Sequence, residues 1–210
     1  MDFLLSIIDF VLHIDVHLLE LIQNYGTWVY AIVFVIIFAE TGLVVTPILP
    51  GDSLIFALGA FAAKGSLHLG ILYGILFIAA VVGDALNYSI GKGAGEILIK
   101  KYPRVFRQQY LEKTREFFAK YGGKTIIIAR FIPIVRTFAP FLAGVGHMRY
   151  RDFAIFNVVG AALWVSTFIL LGYFFGNIPV IAENFSLVII GIIGISILPP
   201  IIEFIKSKKV

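Results

Sequence analysis

The chain has 210 residues, of which 60% are hydrophobic and only 14% are charged, whereas about a quarter of the residues in a soluble domain carry charge. This composition excludes a water-soluble protein and predicts a single, all-α integral membrane domain over residues 1–210. The chain contains no cysteine, which excludes disulfides, thiol catalysis and cysteine metal sites.

The net charge of +4 hides an uneven distribution of basic residues. No Lys or Arg precedes Lys64, nine lie between Lys92 and Lys124, and three more follow from Lys206 onwards. By the positive-inside rule, the 92–124 segment and the C-terminus are predicted to face the cytoplasm. Counting the predicted crossings back from that segment places the N-terminus outside.

Residues 1–25 are predicted to form an amphipathic helix at the membrane surface, because polar residues recur at every third or fourth position. His13 and His17 lie one helical turn apart within it. Nothing near them completes a ligand set with a fixed geometry, so no metal site is predicted. No other cofactor is expected either.

Residues 28–63 are apolar but are interrupted at Glu40, Pro47, Pro50 and Asp52. Proline breaks a helix, and the second half is too short to cross a bilayer. The segment is therefore predicted to be a re-entrant hairpin.

Residues 69–90 are long enough to span the membrane and carry Asp84 and Asn87 near their end. Residues 91–124 are predicted to be a basic cytoplasmic segment. Its helix is expected to lie on the membrane surface and to end at Gly122.

Residues 125–148 repeat the broken pattern and are predicted to be a second re-entrant hairpin. The interruptions fall at Arg130, Pro133, Arg136 and Pro140. Two further spans are predicted, at residues 153–176 and 185–205.

A hairpin followed by a span thus occurs twice, with opposite orientation, which is typical of inverted-repeat transporters. A short internal similarity supports this interpretation. Residues 81–86 read VVGDAL and residues 158–163 read VVGAAL, at corresponding places in the two halves. The predicted fold is an inverted repeat of re-entrant hairpin plus transmembrane helix, flanked by an N-terminal amphipathic helix and a C-terminal span.

If the halves pack about a pseudo-twofold axis, Glu40 and Asp52 of the first hairpin face Arg130 and Arg136 of the second. Each charge costs on the order of 3 kcal/mol at mid-bilayer, so all four need partners, water or a ligand. One interpretation is structural: two buried ion pairs join the hairpins, and Asp52 with Ser53 caps a half-helix.

The alternative interpretation is functional. Arg130 and Arg136 both lie beside proline-broken backbone, where N–H groups and guanidinium forks suit a phosphate group. Glu40 and Asp52 would then hold the arginines while the site is empty and release them on protonation.

Three motifs resemble the DedA family, whose domain is also called the SNARE-associated or VTT domain. They are ETG from Glu40, PILPGDS from Pro47 and RFIPIVRT from Arg130. The resemblance covers nearly the whole chain. It implies a transporter with two opposed re-entrant hairpins that flips undecaprenyl phosphate or another phospholipid and uses the proton-motive force. The acidic pair of the family matches Glu40 and Asp52, and its arginine pair matches Arg130 and Arg136.

Four further polar residues are candidates for a transport pathway: Asp84, Asn87, Ser53 and Asn157. Trp164 lies near Asn157 and is expected to serve packing.

The predicted function is a proton-coupled flippase for undecaprenyl phosphate or a related anionic phospholipid, in a bacterial plasma membrane that the chain crosses several times. A proton-coupled transporter of small ions or drugs remains an alternative. A lipid phosphatase is disfavoured because no nucleophile and base pair can be named, so the protein is not expected to be an enzyme. A scaffold would leave the intramembrane charges without a purpose. The expected partners are the anionic lipid, protons and the membrane, with no nucleic acid; a homodimer is left open.

Overall fold

The computed structural model describes residues 14–43, 51–102, 106, 108–179, 181, 187–188 and 191–192. These residues include no β-strand, and the all-α prediction is confirmed for them. The helices are α1 (Ile14–Tyr25), α2 (Trp28–Gly42), α3 (Gly51–Ala63), α4 (Leu69–Lys101), α5 (Gln108–Tyr121), α6 (Thr125–Ala129), α7 (Pro133–Val145) and α8 (Tyr150–Phe175). A short 3₁₀ turn, Gly122–Lys124, joins α5 to α6.

Among the described residues, two helices are long and apolar enough to cross a membrane: α4, with 33 residues, and α8, with 26 residues. Both exceed the roughly 20 residues that a crossing requires. Helix α4 contains the predicted span 69–90, and α8 covers the predicted span 153–176 except for Gly176. The predicted span 185–205 lies outside the described residues except for residues 187–188 and 191–192. Residues 1–13 of the predicted amphipathic helix also lie outside them.

Three apolar helices are too short for a crossing, because α2 has 15 residues and α3 and α7 have 13 each. The break between α2 and α3 falls at residues 44–50, outside the described residues. The break between α6 and α7 falls at Arg130–Ile132, as the sequence predicts. The new helix begins at Pro133, where a proline costs no helical hydrogen bond.

Pro140 was predicted to interrupt the second hairpin, but it lies inside α7. A proline removes one helical hydrogen bond and strains the turn before it. Residues on both sides of Pro140 are buried, including Phe138, Phe141 and Ala143. Their packing offsets the cost, so the helix continues.

Helix α4 extends eleven residues beyond its predicted end at Ile90 and finishes at Lys101. The glycines at 91, 93 and 95 lie inside this helix, although glycine disfavours helix. Gly91 instead packs directly against α7: a Cβ there would lie 2.1 Å from the carbonyl oxygen of Phe141. Close helix–helix contact therefore overrides the local preference, and the predicted soluble segment begins later than residue 91.

The chain forms two compact units. The first unit covers residues 1–34, 50–75 and 165–210, and the second covers residues 35–49 and 76–164. In the first unit, the backbone N–H of His68 donates to the Tyr30 hydroxyl at 2.7 Å. In the second unit, Tyr88 stacks on Phe153 with ring centroids 4.4 Å apart. The second unit holds most of the intramembrane charges.

Candidate functional site

An ion pair links the end of α2 to the first turn of α7. Nη2 of Arg136 donates to Oε1 of Glu40 at 2.7 Å. The Glu40 side chain is 2% exposed and that of Arg136 is 11% exposed. This pair therefore lies in the interior of the second unit, where water competes little for either charge.

A second ion pair joins Arg130 to α4. Arg130 lies in the break between α6 and α7, and its Nη2 donates to Oδ2 of Asp84 at 2.6 Å. The same nitrogen donates to Oδ1 of Asn157 at 2.6 Å and to the carbonyl of Ala80 at 3.3 Å. Asn157 in turn donates from Nδ2 to the carbonyl of Val81 at 3.0 Å. A single guanidinium nitrogen thus binds acceptors from α4 and α8.

The remaining donors of Arg130 have no hydrogen-bond partner among the described residues. Nε and Nη1 are both buried, and the whole side chain is 1% exposed. A guanidinium carries five N–H groups, of which three are on these two nitrogens. Each buried donor left unsatisfied costs about 1–3 kcal/mol. A group rich in acceptor oxygens, such as an oxyanion, would satisfy them.

Trp164 of α8 contacts both arginines. The guanidinium carbon of Arg136 lies 5.3 Å from the indole centroid, and that of Arg130 lies 5.8 Å from it. Trp164 is completely buried. The π-face of an indole attracts cations, so this one side chain stabilises two like charges close together. The sequence-based expectation that Trp164 serves packing missed this second role.

The site residues of α4 and α8 share one helical spacing. Ala80, Gly83, Asp84 and Asn87 are buried on one face of α4, and Asn157, Gly160, Ala161 and Trp164 are buried on one face of α8. Both sets fall at positions i, i+3, i+4 and i+7, which lie on one side of a helix. When VVGDAL is aligned with VVGAAL and the alignment is extended by one residue at each end, the four residues of α4 align one by one with the four residues of α8. That alignment was the one signal that could have brought Trp164 into the candidate list.

The two aligned glycines, Gly83 and Gly160, lie in close contact with the segments that carry the paired charges. A Cβ at Gly83 would lie 1.8 Å from the Thr41 hydroxyl and 3.1 Å from the Gly42 nitrogen, next to Glu40. A Cβ at Gly160 would lie 3.2 Å from Nε and Cδ of Arg130. Each glycine of the similarity thus packs closely against a segment that carries one of the paired charges: the end of α2 with Glu40, or the α6–α7 break with Arg130.

Asn87 is completely buried and lies between the two elements of the first ion pair. Its Nδ2 donates to the carbonyl of Thr41 at 3.3 Å and to that of Thr137 at 3.1 Å. Its Oδ1 has no hydrogen-bond partner among the described residues.

Comparison with known proteins identifies the family. The family model of the VTT domain matches residues 49–174. Protein DedA of Escherichia coli K12 is 57% identical over 212 aligned positions, which cover 100% of this chain and 97% of that protein. The chain belongs to the DedA family.

More distant DedA relatives cover less of the chain. An uncharacterized membrane protein of Mycobacterium tuberculosis is 41% identical over 85% of this chain and 80% of its own length. The inner membrane protein YqjA of Escherichia coli K12 is 34% identical over 72% of this chain and 69% of its own length. No solved structure matches. Together with the two apolar spans, these relatives show that this chain is a membrane protein.

The geometry of this DedA-family chain differs from the predicted pairing in one respect. Arg130 was expected to meet Glu40 or Asp52, but its carboxylate partner is Asp84. The reason is packing. Gly160 lets the Arg130 side chain lie close against α8, and from there the Arg130 guanidinium reaches Asp84 on α4. Asp84 and Asn157, which were predicted only as pathway residues, therefore contact a predicted binding residue directly.

Asp52 and Ser53 belong to the first unit, where both lie in the first turn of α3 and are buried. The predicted placement of Asp52 against the arginines, and its role in proton coupling, stay predictions. Among the described residues, no cluster of three or more His, Asp and Glu side chains has the geometry of a metal site.

A cavity of about 420 Å³ lies elsewhere in the second unit, lined by residues of α5, the 3₁₀ turn, α7 and the segment that follows α7. Its lining includes Arg115, Phe118 and Leu142 but none of the paired buried charges. The ion pairs therefore mark the candidate site, and this cavity does not.

Proposed function

We propose that this protein is a proton-coupled flippase that moves an anionic phosphate lipid between the leaflets of the bacterial plasma membrane. Undecaprenyl phosphate, returned from the outer to the inner leaflet, is the favoured substrate. The proposal rests on two buried arginines that contact the same indole, that of Trp164. One of them, Arg130, also has three N–H groups without a partner among the described residues. Oxyanions satisfy such donors, and arginine matches the geometry of phosphate oxygens.

The charge balance of the site supports proton coupling. Arg130 and Arg136 are each neutralised by a carboxylate, Asp84 and Glu40 respectively. A phosphate monoester brings about −1.5 to −2 charges at neutral pH. Binding it would leave excess negative charge in a low-dielectric interior unless a carboxylate is protonated at the same time. We therefore propose that Glu40 and Asp52 take up protons when the phosphate binds, and that Asp84 takes part in this proton uptake.

The helix lengths support the proposed re-entrant architecture. Helices α2, α3 and α7 are each shorter than a crossing requires. Breaks in a membrane helix are tolerated where they line a cavity or are buried in protein. The aligned faces of α4 and α8 further support an inverted repeat, whose transport site lies where the broken helices meet.

Reconstitution provides the test. Vesicles that contain a fluorescent polyprenyl phosphate are treated with an impermeant quencher, and the rate at which lipid leaves the protected leaflet is measured with and without a pH gradient. Arg130→Lys and Arg136→Lys keep the charge but lose the planar fork, so each should slow transport at least about tenfold. Arg115→Lys is the matched control, because Arg115 is exposed and forms an exposed pair with the nearby Glu112.

Three results would count against the proposal. If a neutral prenyl lipid is transported as fast as the polyprenyl phosphate, the phosphate group is not recognised. If Arg115→Lys slows transport as much as Arg130→Lys and Arg136→Lys do, the buried arginines are not the transport site. Flux of a small anion in vesicles that lack the polyprenyl phosphate would favour the alternative of a small-ion transporter. The expectation that the protein is not an enzyme stays a prediction, and release of inorganic phosphate from the lipid in the same vesicles would contradict it.

A further inference from the structure

Asn87 bonds to both partners of the Glu40–Arg136 pair through their neighbours in sequence. The side-chain amide of Asn87 donates to the carbonyl of Thr41, the residue after Glu40. It also donates to the carbonyl of Thr137, the residue after Arg136. The amide thus connects the end of α2 to α7 at the level of the ion pair.

The residue type suits this connection. The carbonyls near a helix C-terminus have no intrahelical donor, and Thr41 is the second-last residue of α2. A side-chain amide offers two N–H donors on one nitrogen, so it can serve two carbonyls at once. Leucine offers none, and an ionised aspartate offers none.

The acceptor half of the same amide points to more than passive packing. Oδ1 of Asn87 is buried without a hydrogen-bond partner among the described residues. Buried polar atoms are nearly always paired in a purely structural network. Charged residues flank this connection in sequence: Glu40 precedes Thr41, Arg136 precedes Thr137, and Asp84, the partner of Arg130, lies one turn before Asn87 on α4.

We propose that Asn87 is a positioning residue: it holds the end of α2 and the start of α7 in register, so that Glu40 and Arg136 re-form their ion pair after each transport cycle. The inference rests on the proposed function. It predicts that loss of the amide donors loosens Arg136 while the Asp84–Arg130 pair stays in place.

The chain supplies its own reporter for the test. It has only two tryptophans, and Trp28 is exposed at 71%. In a Trp28→Phe background, emission comes from Trp164 alone, which contacts both guanidinium groups. Binding is measured with dodecyl phosphate in a neutral detergent, over a pH titration, alongside thermal unfolding.

Asn87→Asp keeps the shape and removes the amide donors. At neutral pH it should change the Trp164 emission and weaken dodecyl phosphate binding about tenfold, which corresponds to roughly one or two hydrogen bonds. Lowering the pH should restore part of the binding, because a protonated carboxyl can donate one hydrogen bond. Asn87→Leu should show the same loss without recovery at low pH. Ser89→Ala is the control, since Ser89 is exposed on the same helix and its hydroxyl donates to the Ala85 carbonyl of that helix.

The inference is overturned if folded Asn87→Asp protein binds dodecyl phosphate as the parent does at every pH. It is also overturned if Asn87→Leu lowers thermal stability while Trp164 emission and binding by the folded protein stay unchanged. If Asn87→Leu does not fold, the isosteric Asn87→Asp decides. If the parent protein itself fails to bind dodecyl phosphate, the proposed function fails, whereas the pH dependence of Trp164 emission in Asn87→Asp still tests the connection between α2 and α7.

Discussion

The Asp84–Arg130 pair allows the charge of one buried carboxylate to be removed with almost no change of shape. Asp84→Asn keeps an acceptor beside Arg130 but leaves that guanidinium, 1% exposed, without its counter-ion. Breaking a buried pair by removing one partner costs about 3–5 kcal/mol. We expect a value near the lower end, about 3 kcal/mol, because Asn157 and the Ala80 carbonyl still accept from Nη2.

Thermal unfolding in detergent measures this effect. For a chain of this size, about 3 kcal/mol corresponds to a fall in Tm of roughly 6–12 °C. Asp152→Asn is the matched control, because the Arg149–Asp152 pair is exposed at 86% and 38% and should be worth at most about 1 kcal/mol. Combining Asp84→Asn with Arg130→Met removes both charges and should recover most of the lost stability.

The same variant probes the anion site. In Asp84→Asn the buried cation lacks a counter-charge, which a bound phosphate would supply, so dodecyl phosphate should raise its Tm more than it raises that of the wild type. The reasoning is refuted if Asp84→Asn lowers Tm no more than Asp152→Asn does. It is also refuted if the double variant is no more stable than Asp84→Asn alone.

Three other predictions address packing, the indole and topology. Gly160→Ala places a Cβ 3.2 Å from Arg130 and should cost about 1 kcal/mol while weakening dodecyl phosphate binding, measured by calorimetry; unchanged affinity would show that Arg130 adapts freely. Trp164→Phe retains a ring with weaker cation binding and should lower stability by about 1 kcal/mol or more in the same unfolding assay; a neutral result would mean that the two cation–π contacts contribute little. A single cysteine at Lys64 should react with an impermeant thiol reagent in intact cells and one at Lys120 should not, and the reverse pattern would invert the predicted topology.

Much of the fold follows from local sequence. The spans are long apolar stretches, the α6–α7 break coincides with Arg130 and Pro133, and α5 ends before Gly122 as predicted. Two local signals misled. The span was predicted to end at Ile90, just before Gly91, and Pro140 was predicted to be a break, although Gly91 and Pro140 both lie inside helices. At Gly91, close contact with α7 outweighs the modest helix cost of glycine, and at Pro140, burial of the neighbouring residues offsets the larger cost of a proline inside a helix.

The sequence by itself determined that charges lie within apolar segments, because hydrophobicity and charge are properties of each residue and the cost of burying a charge is large in any fold. It therefore pointed to Glu40, Arg130 and Arg136 without a structure. Only the tertiary structure decided that Arg130 pairs with Asp84, and that Trp164 serves both arginines. Any carboxylate in the membrane can in principle neutralise any arginine, so the choice depends on which helix faces meet. Those contacts are made through small residues such as Gly83 and Gly160, whose role is visible only once their neighbours are known.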